Sequence, residues 1–362
     1  MDKKFKICFF SGDISRNGGT ERVSTIIANE LVKRGHEVSF LSYRNGLKSY
    51  YYIDERIPLY SLGMENYNGF LSRKLMPYKK LISFFKTNKT DIVIDIDVLL
   101  SIYTLPIKKI IGTKIISWEH FNLRENRIKT RVIARRLATF CSDSIVTLNK
   151  NDMENYVGIT PSFYKNKIRY IYNPAIAKYE TKTNLKNKTV IAVGRLTYQK
   201  NFHLLIKLWK EIEILNPKWN LIIVGEGEDK KSLDELISHL GVKNVVITGF
   251  KENIEKIYEE SSIMVMTSRY EGLPMVLLEG QKKGLPIVAF NCPTGPAEII
   301  INGRNGYLID IGDQQEFIKK LHELINDYDK LKEFSSNAIK DSEKFNLTSI
   351  IDNWIKLFYK LN

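Results

Sequence analysis

Short apolar runs of strand length alternate with longer amphipathic segments along this chain, and the alternation occurs twice. In the first half, strands are expected near 5–10, 37–42, 91–96, 114–118, 144–148 and 168–172, and helices near 20–34, 72–87, 126–141 and 149–157. In the second half, strands are expected near 189–193, 220–224, 244–248, 263–267, 287–290 and 307–309. Helices are expected there near 201–215, 229–240, 252–260, 274–284, 296–302 and 313–325, with two more at 330–342 and 346–360. Strands joined by helix-length crossovers pair in parallel and are covered on both faces. The fold class expected is α/β, with two Rossmann-like doubly wound parallel-sheet domains. The polar stretch 177–188 has little to bury and reads as the linker. The expected bounds are 1–176, 177–345 and a last amphipathic helix over 346–362, whose Ile350, Ile351, Trp354, Leu357 and Phe358 recur at helical spacing.

The charge is uneven. Of a net charge of +14, residues 1–175 carry +13, with 29 Lys and Arg against 16 Asp and Glu. A basic half can be a solubility feature or can meet a polyanion. Two segments concentrate it. Residues 67–90 mix Phe70, Leu71, Leu75, Met76, Leu81, Ile82, Phe84 and Phe85 with Arg73, Lys74, Lys79, Lys80 and Lys86. Residues 124–140 mix Ile128, Val132, Ile133, Leu137 and Phe140 with Arg124, Arg127, Lys129, Arg131, Arg135 and Arg136. Such helices can lie on an anionic membrane surface, or can pack on the core with a solvated basic face. The first reading is preferred here. No nucleic-acid motif is present, so a nucleic-acid partner is not expected. No run approaches the length of a bilayer span, and the first apolar run is too short for a signal peptide. Cys8, Cys141 and Cys292 are widely spaced, which fits a reducing cytoplasm and no metal site.

Chemistry concentrates at Ser268-Arg269-Tyr270-Glu271-Gly272-Leu273-Pro274, between the expected strand 263–267 and helix 274–284. Open α/β sheets bind ligands at such strand-to-helix junctions. Free N–H groups and the positive dipole end of the new helix favour phosphate. Glu271 falls in the loop and Glu279 inside the helix, where carboxylates can accept from sugar hydroxyls.

Four motifs in order resemble retaining glycosyltransferases of family 4, of the bacterial surface-polysaccharide type. They are Gly18-Gly19-Thr20-Glu21-Arg22, Gly194-Arg195-Leu196 with Lys200-Asn201, the Glu271…Glu279 pair, and Cys292-Pro293-Thr294-Gly295-Pro296. The resemblance implies the GT-B fold, with two domains facing across a cleft and the last helix crossing back to the first domain. It implies sugar transfer from a nucleotide diphosphate, with UDP preferred and a Gal or GalNAc type suggested by the Cys292–Pro296 segment. The acceptor implied is a glycan on a polyprenyl diphosphate, at the cytoplasmic face of the inner membrane, in capsule, exopolysaccharide, O-antigen or related synthesis. By resemblance, Arg195 and Lys200 contact the diphosphate, and Gly272, Leu273, Gly18 and Gly19 lie near it. Glu271 meets the donor sugar, Glu279 the ribose, Gly249 and Phe250 the base, and His120 the transferred sugar. Glu271, His120, Arg195 and Lys200 form the expected catalytic set, without metal or further cofactor.

Two fixed cations would stabilise the charge that develops on a diphosphate leaving group. Glu21 and Arg22 read equally well as a first-turn pair, and Glu119 beside His120 is open because neighbouring strand residues face opposite ways. Asp95-Ile96-Asp97 has the D-x-D form of a metal motif but sits on an apolar strand, so metal binding there is not expected. The rival readings are a sugar-nucleotide epimerase on the same fold and a non-catalytic membrane- or polyanion-binding protein.

Overall fold

A computed structural model describes residues 3–67, 70–123, 128–176, 182–251 and 253–362, with the backbone alone at 70–73. Residues Met1–Asn173 and Thr348–Asn362 form one compact unit, and Pro174–Leu347 form a second.

The first unit holds a seven-stranded sheet. Its strands are β1 (Lys6–Ser11), β2 (Glu37–Ser42), β3 (Leu59–Ser61), β4 (Ile92–Asp95), β5 (Lys114–Glu119), β6 (Ser144–Thr147) and β7 (Ile168–Tyr170). They lie in the order β3-β2-β1-β4-β5-β6-β7, every pair parallel. Every residue of β4 is buried, as are the last five of β1, because helices cover both faces of a parallel sheet. The order reverses between β1 and β4, so loops leaving those strands part at that point.

The second unit holds six strands. These are β8 (Thr189–Val193), β9 (Asn220–Val224), β10 (Val245–Ile247), β11 (Ile263–Met266), β12 (Ile287–Phe290) and β13 (Gly306–Ile309). Their order is β10-β9-β8-β11-β12-β13, again all parallel. Here the switch falls between β8 and β11. Val190, Ala192, Ile223 and Val265 build the core with Trp209 and Ile212 from the helix Phe202–Leu215 and Phe317 and Leu321 from Gln314–Asn326.

The helix Leu347–Leu361 joins the first unit from Thr348 onward. It buries Ile350, Ile351, Trp354, Leu357 and Phe358. Trp354 meets Trp118 edge-on at 5.0 Å, Phe358 lies 6.2 Å from Phe5, and Arg34 bonds Asp352 at 3.1 Å.

Two features escape sequence periodicity. Strand β3 has three residues, too few to show alternation. Residues 98–111 fold into short helical turns, Val98–Leu100, Ser101–Thr104, Leu105–Ile107 and Lys108–Ile111, none long enough for a helical repeat. The linker expectation over 177–188 falls partly on 177–181, outside the described residues. Its remainder is tied to the second unit: the N–H groups of Thr183 and Asn184 donate to the carbonyls of Lys283 and Glu259.

The second basic segment needs correction. The second helix runs Lys129–Cys141, and Arg131 and Arg135 on it are buried, 3% and 5% exposed, in ion pairs with Asp97 and Glu119. They are not available to a membrane. Arg124 and Arg127 lie outside the described residues. The exposed stripe of that helix is instead Lys129, Ile133, Arg136 and Phe140, spaced four, three and four apart. In the helix Phe70–Asn88, Leu81 and Phe85 are buried and Leu75 is exposed, while the side chains of Phe70, Leu71 and Arg73 are not described.

Candidate active site

Both sides of the β8/β11 switch carry charge. After β8 come Gly194, Arg195 and Lys200; after β11 comes Glu271. Lys200 Nζ donates to Glu271 Oε1 at 2.7 Å, with the two side chains 16% and 7% exposed. Arg195 is exposed at the same strand end. The two loops are laced together: Arg269 N–H bonds the Gln199 carbonyl at 2.8 Å, Gln199 Nε2 donates to the Tyr270 carbonyl at 2.9 Å, and Arg269 Nη2 donates to Asn201 Oδ1 at 2.8 Å. Arg269 also stacks over the Tyr198 ring at 4.2 Å. The lacing fixes Lys200 against Glu271.

Glycines make the approach of these loops possible. A Cβ on Gly225, after β9, would stand 1.9 Å from the Gly194 carbonyl oxygen. A Cβ on Gly194 would stand 2.9 Å from the Lys200 stem. The Gly225 N–H donates to the Gly249 carbonyl at 3.1 Å, and Gly249 sits in the left-handed region at φ +70°. Glu226 Oε1 accepts from the Phe250 N–H at 3.3 Å, and the Phe250 ring is about half exposed. Thus Gly249 and Phe250 stand at the end of β10, two strands out from the switch.

The Cys292–Pro296 segment braces the Glu271 backbone. Thr294 Oγ1 donates to the Glu271 carbonyl, and the Glu271 N–H donates to the Pro293 carbonyl at 3.3 Å. Gly295, at φ +92°, leaves room for Pro274 and the Gly272 carbonyl, which a Cβ would approach to 2.6 and 2.7 Å. Cys292 is buried, and burial with the Glu271 charge nearby pushes its thiol up to about 12, so it stays protonated. Leu273 is buried ahead of the helix Met275–Lys282. Glu279 is buried one turn into that helix, where Tyr258 donates to its Oε2 at 3.0 Å. Lys283, 2% exposed, is clasped by Glu255 and Glu259 at 3.1 Å each, tying the Tyr258 helix to this one. Tyr258 and Lys283 carry no motif; only the fold reveals them.

In the first unit, Gly18 precedes the helix Gly19–Lys33. A Cβ on Gly18 would meet Glu21 Oε2 at 2.1 Å, and Thr20 Oγ1 donates to that oxygen at 2.7 Å, so Glu21 folds back over its own helix start. Asp95 and Asp97, at the end of β4, are engaged separately. Asp95 Oδ2 accepts from Ser101 and Thr104 at 2.7 Å each. Complete burial raises its carboxyl to about 7. Asp97 caps the turn Val98–Leu100 and receives a bidentate Arg131 at 2.7 and 2.9 Å. Among the described residues no group of three or more His, Cys, Asp or Glu is placed to hold a metal ion.

His120 follows β5. It is 9% exposed, its ring lies 4.2 Å from the Trp118 ring, and its Nε2 has no hydrogen-bond partner among the described residues. Burial lowers its pKa to about 3, with Arg131 lowering and Asp97 opposing, so the imidazole is neutral at pH 7. Glu119 points into the protein and bonds Arg135 Nε at 2.6 Å. Burial raises its carboxyl despite the two arginines.

Two parallel Rossmann-like units, the second with cations and a carboxylate at its switch point, define a doubly wound α/β class of protein. Residues 176–341 match the family described as Glycosyl transferases group 1. An amylovoran biosynthesis glycosyltransferase of Erwinia amylovora is 31% identical over 365 residues, covering 97% of this chain and 98% of the relative. A Campylobacter jejuni α-1,4-N-acetyl-D-galactosaminyltransferase, named for a GalNAc-α-(1→4)-GalNAc-α-(1→3)-diNAcBac-PP-undecaprenol substrate, is 26% identical over 359 residues, covering 97% and 98%. The crystal structure of Anabaena HepE with UDP and glucose superposes with a TM-score of 0.82 at 19% identity, covering 98% of this chain and 99% of that one. The chain belongs to the group 1 glycosyl transferases, and its two units have the GT-B architecture of its structural neighbours.

Proposed function

We propose that this enzyme moves a sugar from a UDP-sugar, with retention, to a glycan on a polyprenyl diphosphate during bacterial surface-polysaccharide synthesis. The observation that carries the reading is the Lys200–Glu271 pair at the β8/β11 switch. A bound diphosphate would take Lys200 and Arg195 as its cations. Lys200 would then release the Glu271 carboxylate to accept from a sugar hydroxyl. As the C1–O bond to the β-phosphate breaks and the acceptor oxygen bonds C1, the departing phosphate oxygen takes the acceptor proton. The protein then contributes positioning and fixed charge. Glu279 is assigned the ribose, Gly249 and Phe250 the base, Gly272 and Leu273 the phosphates. By resemblance, Gly18 and Gly19 lie near the diphosphate and His120 near the transferred sugar. The name of the Campylobacter relative, a GalNAc transferase with a PP-undecaprenol-linked substrate, supports a Gal or GalNAc type of donor and a lipid-linked acceptor.

An anionic membrane surface fits the exposed stripe Lys129, Ile133, Arg136 and Phe140, with Phe163 84% exposed beside it through the Phe140–Tyr164 and Tyr164–Phe163 ring contacts. No helix among the described residues is long and apolar enough to cross a membrane. The reading places the enzyme peripherally, on the cytoplasmic face.

The test is release of UDP from a panel of UDP-sugars, with and without a polyprenyl-diphosphate glycan, in EDTA. Turnover of one donor that is lost in Glu271→Gln and Lys200→Met supports the reading. Donor binding that survives both changes refutes the site. Vesicles with and without anionic lipid test docking: binding that survives Ile133→Asp with Phe163→Asp removes that face from the proposal.

A further inference from the structure

Two buried arginines of the helix Lys129–Cys141 hold the chain on both sides of His120. Before it, Glu119 receives Arg135 Nε at 2.6 Å and Arg131 Nη1 at 3.4 Å. After it, the segment 121–123 lies outside any helix or strand, and Arg135 reaches three successive carbonyls there. Its Nη1 donates to Leu123 at 3.1 Å, and its Nη2 to Asn122 at 3.2 Å and Phe121 at 3.4 Å. The Arg131 guanidinium lies over the Phe121 ring at 4.2 Å, and the Phe121 N–H donates back to Glu119 Oε1 at 3.1 Å. Asp97 anchors Arg131 bidentately from the end of β4.

Packing alone does not call for this. A buried ion network is commonly no more stabilising than apolar residues of the same volume. What it adds is direction: a planar guanidinium can satisfy a carboxylate and several carbonyls at fixed angles, which an ammonium cannot. Both neighbours of His120 are held this way, and the ring itself is backed by Trp118, which leans on Trp354. His120 Nε2 has no hydrogen-bond partner among the described residues, as is also true of Trp118 Nε1, Trp354 Nε1 and Arg131 Nε around it.

We propose that Arg135, with Arg131 beside it, is a positioning residue that fixes the backbone around His120 and so sets where its imidazole points. The consequence for turnover rests on the glycosyl-transfer reading above; the positioning itself does not. The test uses the full chain with isotope-labelled histidine. Its five histidines give few ring signals, and His120→Gln identifies the one needed. In Arg135→Lys, which keeps a cation beside Glu119 but loses the fork, the His120 signal is expected to shift and broaden while the other four hold. If His36, the other histidine of the first unit, moves as well, that unit has lost its fold. Arg131→Lys then serves: it keeps a cation between Asp97 and Glu119, so the charge around His120 is unchanged, but it loses the bidentate grip, and the His120 signal is expected to move less but alone. A His120 signal that coincides with wild type in a folded variant overturns the proposal. Turnover separates the two readings. A fall of about 10- to 100-fold with unchanged affinity for UDP is expected from a displaced group. If the ring moves and turnover holds, positioning stands and His120 loses its assigned role.

Discussion

Removing the Lys200 ammonium should expose how much the Lys200–Glu271 contact holds the second unit together. Lys200→Met keeps the stem that passes Gly194 but leaves the Glu271 carboxylate, 7% exposed, without its cation. Breaking a buried pair from one side costs about 3–5 kcal/mol. The 16% exposure of the Lys200 side chain puts this pair at the lower end, about 3 kcal/mol. A loss of that size raises the opening constant of the unit about 150-fold. Adding Glu271→Gln removes the stranded charge, and about 2 kcal/mol should return. Amide hydrogen exchange of β8 and β11 reads both changes, since their inner residues exchange only when the core opens. Donor turnover should stay at least about 100-fold down in the double variant, because the cation opposite the leaving group is still missing. Equal exchange in Lys200→Met and the double variant would refute the reasoning: the charge would not have been stranded.

Three further outcomes follow from the same geometry. Gly225→Ala puts a Cβ 1.9 Å from the Gly194 carbonyl. The β8 loop must shift, and calorimetry should show UDP affinity falling about tenfold or more, a loss of at least about 1.4 kcal/mol. Trp354→Ala empties the contact under Trp118 and should cost the first unit about 3–5 kcal/mol, seen as faster amide exchange in β1 and β5. Asp95 keeps its proton in the fold up to about 7 but loses it when unfolded near its ordinary value, 3.8. Between those values the folded state binds more protons, so this residue makes stability fall as pH rises. Asp95→Asn removes that slope, and its stability relative to wild type should improve with pH by up to about 4 kcal/mol across the window in parallel denaturation series. A difference that stays flat would mean the buried acid is already ionised at pH 4.

The strands were legible because a parallel sheet buried on both faces needs continuous apolar runs, and β4, β6, β11 and β12 are wholly buried. The site motifs were legible where chemistry demands a residue type next to a strand end. Partners were not. Arg131 and Arg135 share a helix with an exposed apolar and basic stripe, and periodicity alone makes all of them one amphipathic helix. Their acids stand elsewhere: Asp97 lies 34 residues before Arg131, and Glu119 lies 16 before Arg135, on the ends of two different strands. A helical repeat says which residues share a face. It does not say whether that face meets water or carboxylates.

The same limit explains the carboxylate pair. Seven residues between Glu271 and Glu279 put one on a strand-end loop and the other on the following helix, which local sequence can fix. Each then acquires its partner from a remote segment: Lys200 is 71 residues from Glu271, and Tyr258 is 21 from Glu279. What brings Lys200 to Glu271 is strand order, since β8 and β11 are neighbours although two strands separate them in the chain. A switch in strand order thus brings together charges whose sequence positions give no hint of contact. It also makes the pair a better discriminator than either motif. A surface lysine and a surface glutamate would tolerate exchange of their charges with little effect, whereas Lys200→Glu with Glu271→Lys should keep the ion pair and still abolish turnover. The swapped cation would stand after β11, away from Arg195, with a carboxylate facing the leaving phosphate.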